Sequence, residues 1–406
     1  MTTLTHADPR PNTSCAPRRR IVTGQLALVF VVVFGTLMSF YLLLAVTPRY
    51  AARAGAGSAG AGLVTGSLLA GTVAAELVAS ILMKRCGYRT LLAAGAVLLG
   101  LPVLAMLYVH GLTIIVAASV VRGFGFGLST VVTGAVIAEL LPPERRGEGL
   151  SLTGVVDLLP AVLALPAGVW LADHYGSVPV VAMTSAMALL PVAVLPWLPR
   201  ATDRRIADAT DAPAGGAPTV GLVTGLRNYG QLRPLLVFAA STMAAGIVVS
   251  FLPLAAGVAH NIVAIGLFAQ AVAAMISQFW AGRRGDRHGY STLLVPGLAI
   301  ASLGMMSMIW LRSPVAVIAA MCVFGAGFGI SENATFALMI DRMPASGLGT
   351  ASALWSLGYD VGYGAGPVGF GLIVALHSPI NRRSPALDRC MGVIVKRTAW
   401  LAWCRR

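Results

Sequence analysis

Charge is what this sequence has least of. Asp, Glu, Lys and Arg make up 11% of its 406 residues, where soluble chains carry about 25%. Acids are the scarcer sign, 15 against 29 Lys and Arg. The charges are bunched into short strips between long apolar runs. That excludes a water-soluble globular fold, and it makes the cations anchors at helix ends rather than a nucleic-acid face. Cysteine is rare, at positions 15, 86, 322, 390 and 404, with no metal spacing. Cys322 lies in an apolar run and reads as packing. Six histidines and scattered acids give no metal cluster. His260 and His288 read as solvated loop residues, and Met305, Met306 and Met308 as packing rather than a metal path. No nucleophile–base pair stands in a loop, so neither an enzyme nor a cofactor is expected. The short alternating segments of a membrane β-barrel are missing too.

What is there is apolar length. Runs of the roughly 20 residues that cross about 30 Å of hydrocarbon as helix fall at about 21–47, 61–83, 90–109, 113–141, 150–172, 178–198, 234–256, 261–281, 291–311, 314–340 and 348–376. The fold class is therefore an all-α polytopic membrane protein. Residues 1–20 are polar, end in Arg18-Arg19-Arg20, and precede a run too long for a signal-peptide core. They predict a cytoplasmic tail before a retained first helix. Residues 21–198 form a bundle of six helices and 234–376 a bundle of five. Between them, 199–233 reads as a basic linker with a Pro/Gly/Ala-rich centre.

One short stretch occurs twice. Residues 84–95 and 286–297 share Arg85, Gly87, Tyr88, Thr90, Leu91, Leu92 and Gly95 at an offset of 202. The offset continues without a gap. Gly123, Gly125, Phe126 and Gly127 return as Gly325, Gly327, Phe328 and Gly329, Glu139 as the acid Asp341, and Pro142 as Pro344. The second half is read as a duplicate of the first.

Cation counts give the topology. With the N-terminus cytoplasmic, inner segments hold 18 Lys and Arg and outer loops hold 3: Arg49, Arg53 and Arg312. This is the asymmetry the positive-inside rule requires, and it makes the halves parallel. The tail, 377–406, departs from it with 7 cations. A twelfth helix through 389–404 would hold Lys396 and Arg397 near its centre, each costing roughly 2.5–3.5 kcal/mol on insertion scales. No normal twelfth span is expected. Met391, Val393, Ile394, Val395, Trp400, Leu401 and Trp403 suit a short interfacial segment. The abrupt change of composition after Ala375 also fits a truncated or frame-shifted end.

Gly282-x-x-x-Asp286-Arg287-x-Gly289, in a loop between two membrane helices, resembles the loop motif of the major facilitator superfamily. The plan over residues 21–376 resembles it as well: two parallel bundles, a basic linker, and the motif after the second helix of each half. Among its subgroups the chain is most similar to efflux permeases. The resemblance implies two six-helix bundles, here with the twelfth helix missing or abnormal, a site between them, and alternating access by rocking. The chain departs from the pattern at Ser80 and Lys84, where the motif has Gly and Asp. It also lacks the helix-five Gly-Pro signature. Gly154, Pro160 and Pro166-Ala167-Gly168 stand near that place, and Gly362-x-x-x-Gly366-Pro367 appears in the last span.

Charges inside apolar spans are functional candidates by default. Arg122 opens Arg-Gly-Phe-Gly-Phe-Gly in span four. The resemblance implies a role in proton or substrate binding, and a bond to backbone or a neighbouring acid is the structural alternative. Glu76 in span two has Gln278 as its repeat partner. Burial disfavours a charged carboxylate, which suits a proton carrier. Asp157 and Asp360 occupy nearly equivalent places in the two halves, Asp360 between Tyr359 and Tyr363. They are placed to bind a cationic or hydroxylated substrate or a proton, or else to tie an irregular helix. Glu332, Gln270 and Gln278 are weaker candidates for the same site. Lys84, Arg85, Gly87, Arg89, Glu139, Gly282, Asp286, Arg287, Gly289 and Asp341 form a candidate conformational latch at the cytoplasmic side. Lys84 or Arg89 is expected to pair with Glu139 or Asp341 when that side closes.

The sequence thus predicts a monomeric secondary transporter in the cytoplasmic membrane that exports a drug, sugar or metabolite against protons. A proton-coupled importer is the rival within transport. A non-transporting receptor or inactive remnant is the rival outside it.

Overall fold

Lipid supplies no partner for backbone N–H and C=O groups, so apolar spans must satisfy their own as helix. The structure, a computed structural model, describes residues 23–108, 111–141, 146–198, 229–255, 258–310, 313–343 and 348–377, and holds no strand among them. The long helices are α1 (Gly24–Leu44), α2 (Gly57–Cys86), α3 (Tyr88–Tyr108), α4 (Leu112–Leu140), α5 (Arg146–His174), α6 (Ser177–Val194), α7 (Tyr229–Phe251), α8 (His260–His288), α9 (Leu294–Ser307), α10 (Pro314–Asp341) and α11 (Leu348–His377). Among the described residues, nine helical stretches are long and apolar enough to cross a membrane, the first of them taking in both α1 and α2. The α11 helix has 30 residues, its apolar run diluted by glycine, tyrosine and Asp360. The expected interfacial segment in the tail lies outside the described residues, as does most of the expected linker, since α7 begins at Tyr229.

The duplicated hairpin folds the same way twice. Gly87 and Gly289 end α2 and α8 with φ of 75° and 83°, a conformation a Cβ disfavours. Each donates its N–H to the carbonyl four residues back, Met83 and Gly285. The glycines of α4 and α10 admit matching neighbours. A methyl added at Gly123 would meet the Leu68 carbonyl, and one at Gly325 the Gln270 carbonyl. Gly125 packs on Gly95 and Leu99, Gly327 on Gly297 and Ala301. All these pairs keep the 202 offset. Small residues let helices approach closely where lipid provides no hydrophobic drive to associate.

Prolines inside helices leave carbonyls unpaired. Pro234 in α7 removes the N–H that would reach Gly230, and Arg342 at the end of α10 donates to that carbonyl at 2.5 Å.

Within each half the packing is parallel: α2 on α4 and α8 on α10, α3 on α4 and α9 on α10, α1 on α5 and α7 on α11. Between halves the main contacts are α2 with α11 and α5 with α8, which the 202 offset interchanges. The core is asymmetric from end to end. At the end away from the basic loops, one cluster unites both halves: Leu43, Leu44, Val46, Leu165, Val169, Val248, Phe251, Leu252, Val263, Leu267, Phe370 and Val374 belong to it. At the basic end the clusters separate. One holds Leu26, Val29, Val136 and Ile137 of the first half. Others hold Leu293, Ile330 and Leu338, or Leu235, Met339 and Leu354, of the second. Among the described residues, the halves share a core at one end and keep separate cores at the other.

Candidate functional site

The seam between the halves carries the polar groups of the spans. Tyr41 on α1 and Tyr359 on α11 meet across it, and Tyr41 lies in electrostatic reach of Asp157, Glu332 and Asp360. Four helices thus bring α1, α5, α10 and α11 side chains to one place. On α11, Trp355, Tyr359 and Tyr363 recur every four residues, so they share a face. Tyr359 stacks on Tyr363 with centroids 5.5 Å apart and lies 6.4 Å from Trp355. Phe238 of α7 stacks on Trp355 at 4.4 Å, and Phe336 of α10 meets it edge-on at 5.0 Å.

The polar handles are tied within the protein. Trp355 Nε1 donates to Thr335 Oγ1 at 3.3 Å, and that hydroxyl donates to the Ser331 carbonyl at 2.7 Å. Gln278 Nε2 donates to Glu332 Oε2 at 2.5 Å. Glu76 of α2 and Asp360 of α11 bring their carboxyls together across the seam. Asp157 lines a cavity of about 220 Å³ with Val33, Thr36, Thr130, Thr133 and Thr153. Its side chain is exposed to that space.

Above the carboxyl pair, toward the fused end, α2 and α11 meet rung by rung. Ser58 Oγ donates to the Gly371 carbonyl at 3.2 Å. Gly62 lies on the Pro367 carbonyl and Gly66 on Val368 and Gly364. Thr65 and Ser250 share a hydroxyl bond of 2.9 Å between α2 and α7.

The sequence profile of the Major Facilitator Superfamily matches residues 29–367. The chain belongs to the Major Facilitator Superfamily. Solved structures of low identity share its fold. The nucleoside transporter NupG matches at 10% identity over 94% of this chain and 98% of its own, with a TM-score of 0.74. A D-xylose–proton symporter matches at 15% identity over 93% and 97%, with a TM-score of 0.70. A bacterial homolog of the human lysosomal transporter Spinster, inward-facing and unoccupied, matches at 13% identity over 92% of both chains, with a TM-score of 0.67. The superfamily consists of transporters, and this chain is a multi-pass membrane protein.

Of the residues singled out from sequence, Glu76, Asp157, Glu332, Asp360, Gln278, Tyr359 and Tyr363 meet at the seam of this superfamily fold. Arg122 does not join them. It is 1% exposed, its Nη2 donates to the Ser39 carbonyl of α1 at 3.3 Å, and its Nε has no partner. Gln270 is buried with Oε1 unpartnered. The superfamily loop residues sit at the basic end. Tyr290 donates to Asp286 at 2.5 Å. Arg89 donates to the Leu195 carbonyl of its own half. Lys84, Arg85, Arg287 and Asp341 are exposed and Glu139 half-buried, while Gly282 faces Asn333.

Sequence reasoning missed Tyr41, Trp355, Phe238 and Phe336. The signal for Trp355 was its spacing of four from Tyr359. Tyr41 had none beyond being a polar-tipped ring in an apolar run. It also missed the buried pair of Arg49 Nη2 and Asp173 Oδ1, 2.7 Å apart at the fused end.

Proposed function

We propose that this superfamily member is a proton-coupled secondary transporter that exports a small organic solute by alternating access. The observation that carries the reading is the one-sided core: a seam of carboxyls and tyrosines, with one core common to both halves at one end and separate cores at the other among the described residues. The basic end is cytoplasmic by the positive-inside count, so this arrangement is inward-open. Two carboxyls brought together away from water are hard to ionise at once, which makes Glu76 and Asp360 the candidate proton site on the two helices that must part. Asp157 and Glu332 stand where solute and proton compete.

Purified protein in vesicles with an imposed pH gradient tests this. Gradient-driven flux that Glu76→Gln and Asp157→Asn abolish is the expected outcome. Flux that ignores the gradient ends the coupling, and no flux of any solute in a broad panel ends the transporter reading. Import is the second reading. The D-xylose–proton symporter shares the fold, and coupling alone does not set direction. Flux in right-side-out and inside-out vesicles separates the two.

A further inference from the structure

The duplication supplies a template for the cavity beside Asp157. That cavity lies wholly in the first half, between α1, α4 and α5. Helices α4 and α5 map onto α10 and α11 at the 202 offset. The starts of α1 and α7, Gly24 and Tyr229, lie 205 apart. The packing keeps both registers: Gly168 lies on the Leu42 carbonyl and Gly366 on the Met243 carbonyl, neighbouring rungs of one ladder.

In these registers the residues that line the cavity have aromatic counterparts. Phe238 stands for Val33, Phe336 for Gly134, Trp355 for Thr153 and Tyr359 for Asp157. The four rings form one cluster, with Phe238 stacked on Trp355 and Phe336 edge-on to it. The second half thus fills with its own side chains a space that the first half leaves open. A methyl added at Gly134 would meet nothing within 4 Å.

The filled copy shows what the open one can hold. The Trp355 N–H donates to Thr335 Oγ1 at 3.3 Å, and Thr335 has given its own proton to the Ser331 carbonyl at 2.7 Å. Thr133 is in the same state, donating to the Ser129 carbonyl at 2.7 Å. It lines the cavity, with lone pairs left to accept a bond, and Thr153 is too short to supply the indole that Trp355 supplies. An apolar cavity of about 150 Å³ takes up benzene, so one of about 220 Å³ has room for two fused rings. We infer that the first-half cavity binds a fused aromatic ring carrying an N–H, an indole or a close heterocyclic relative. Its N–H lies on Thr133 Oγ1 and one face lies against Val33, as Trp355 lies on Thr335 and Phe238. The ring needs no charge from Asp157, which stays available to the rest of a larger solute. The inference rests on the transporter reading for its purpose alone: the ring is the part of the solute that the first half grips.

Equilibrium dialysis of the purified full chain in detergent, against a protein-free micelle blank and without any gradient, tests it. The probes are indole and benzofuran, the same pair of rings with an oxygen in place of the N–H. Saturable binding of indole is expected, with benzofuran at least about tenfold weaker. Thr133→Val is expected to weaken indole about tenfold and to bring the two probes level. Thr153→Trp rebuilds the second half's filling in the first, and is expected to abolish indole binding in a chain that still unfolds cooperatively on heating. No saturable binding of indole to the wild-type chain overturns the inference, as does equal binding of the two probes to it. Binding retained by folded Thr153→Trp overturns it too. If Thr153→Trp fails to fold, Thr133→Val decides alone, and unchanged discrimination between the probes overturns the inference. The assay needs no flux, so its failure leaves proton-coupled transport standing. A chain that binds indole yet moves no solute sinks the transporter reading and spares the site.

Discussion

The carboxyls of Glu76 of α2 and Asp360 of α11 come together where the glycine contacts between the two halves end. Asp360 is 5% exposed, and Tyr41, Tyr359 and Glu332 are titratable groups in the same cluster. In the proposed proton site, a proton shared by the two carboxyls holds α2 to α11, and two bare carboxylates repel. The fused end is therefore expected to be held at low pH and to loosen as pH rises. Spin-label distances across the fused end, between about pH 5 and about pH 9, are expected to lengthen with pH in the wild-type chain. The Glu76→Gln/Asp360→Asn double variant keeps a neutral bond and is expected to show no such lengthening. A full pH response in the double variant would remove the shared-proton role.

The glycine rungs set the distance between helices. Alanine at Gly123 or Gly325 places a methyl against a facing carbonyl, and each is expected to lower stability by about 1–3 kcal/mol. Gly369 has open space around its added methyl, so Gly369→Ala gains up to about 1 kcal/mol from helix propensity. Thermal unfolding in detergent reads all three. A similar loss at Gly369 would show that helix flexibility, not spacing, is at stake.

Arg49 and Asp173 are 6% and 8% exposed in their side chains, so their charges lack water's support. Arg49→Met alone is expected to cost about 3–5 kcal/mol by stranding the carboxylate, and Arg49→Met/Asp173→Leu to recover most of it. A double-variant cycle on thermal unfolding measures the coupling. Additive losses would mean the pair does not act as a unit.

Arg342 replaces the hydrogen bond that Pro234 removes from Gly230. Arg342→Met is expected to cost about 0.5–1.5 kcal/mol, and to cost less once Pro234→Ala restores the native N–H. Equal cost in both backgrounds, again by thermal unfolding, would assign Arg342 to packing instead.

The helices were legible because apolar length and basic punctuation obey the bilayer's own dimensions. The duplicated hairpin was legible because Gly87 and Gly289 serve a backbone conformation that other residues resist. The carboxyls of the seam were legible because a charge in an apolar run has few innocent explanations. Arg122 met the same criterion, yet it lies on the α1 backbone; depth in a span marks a residue without saying which way it faces. Tyr41, Trp355 and Phe336 escaped because an aromatic ring in a membrane helix suits lipid, core and cavity alike. Arg49 read as a loop cation because its partner, Asp173, is 124 residues away in the chain.

The closest glycine contacts of this fold, such as Gly123 on the Leu68 carbonyl, Gly325 on the Gln270 carbonyl and Gly62 on the Pro367 carbonyl, set backbone against backbone. Peptide groups are common to every residue, so the spacing of the helices is stored apart from the chemistry of the cavity. Mutations that exchange one lining side chain for another leave the frame at its original gauge. The lining can in this way change while the spacing of the helices stays the same.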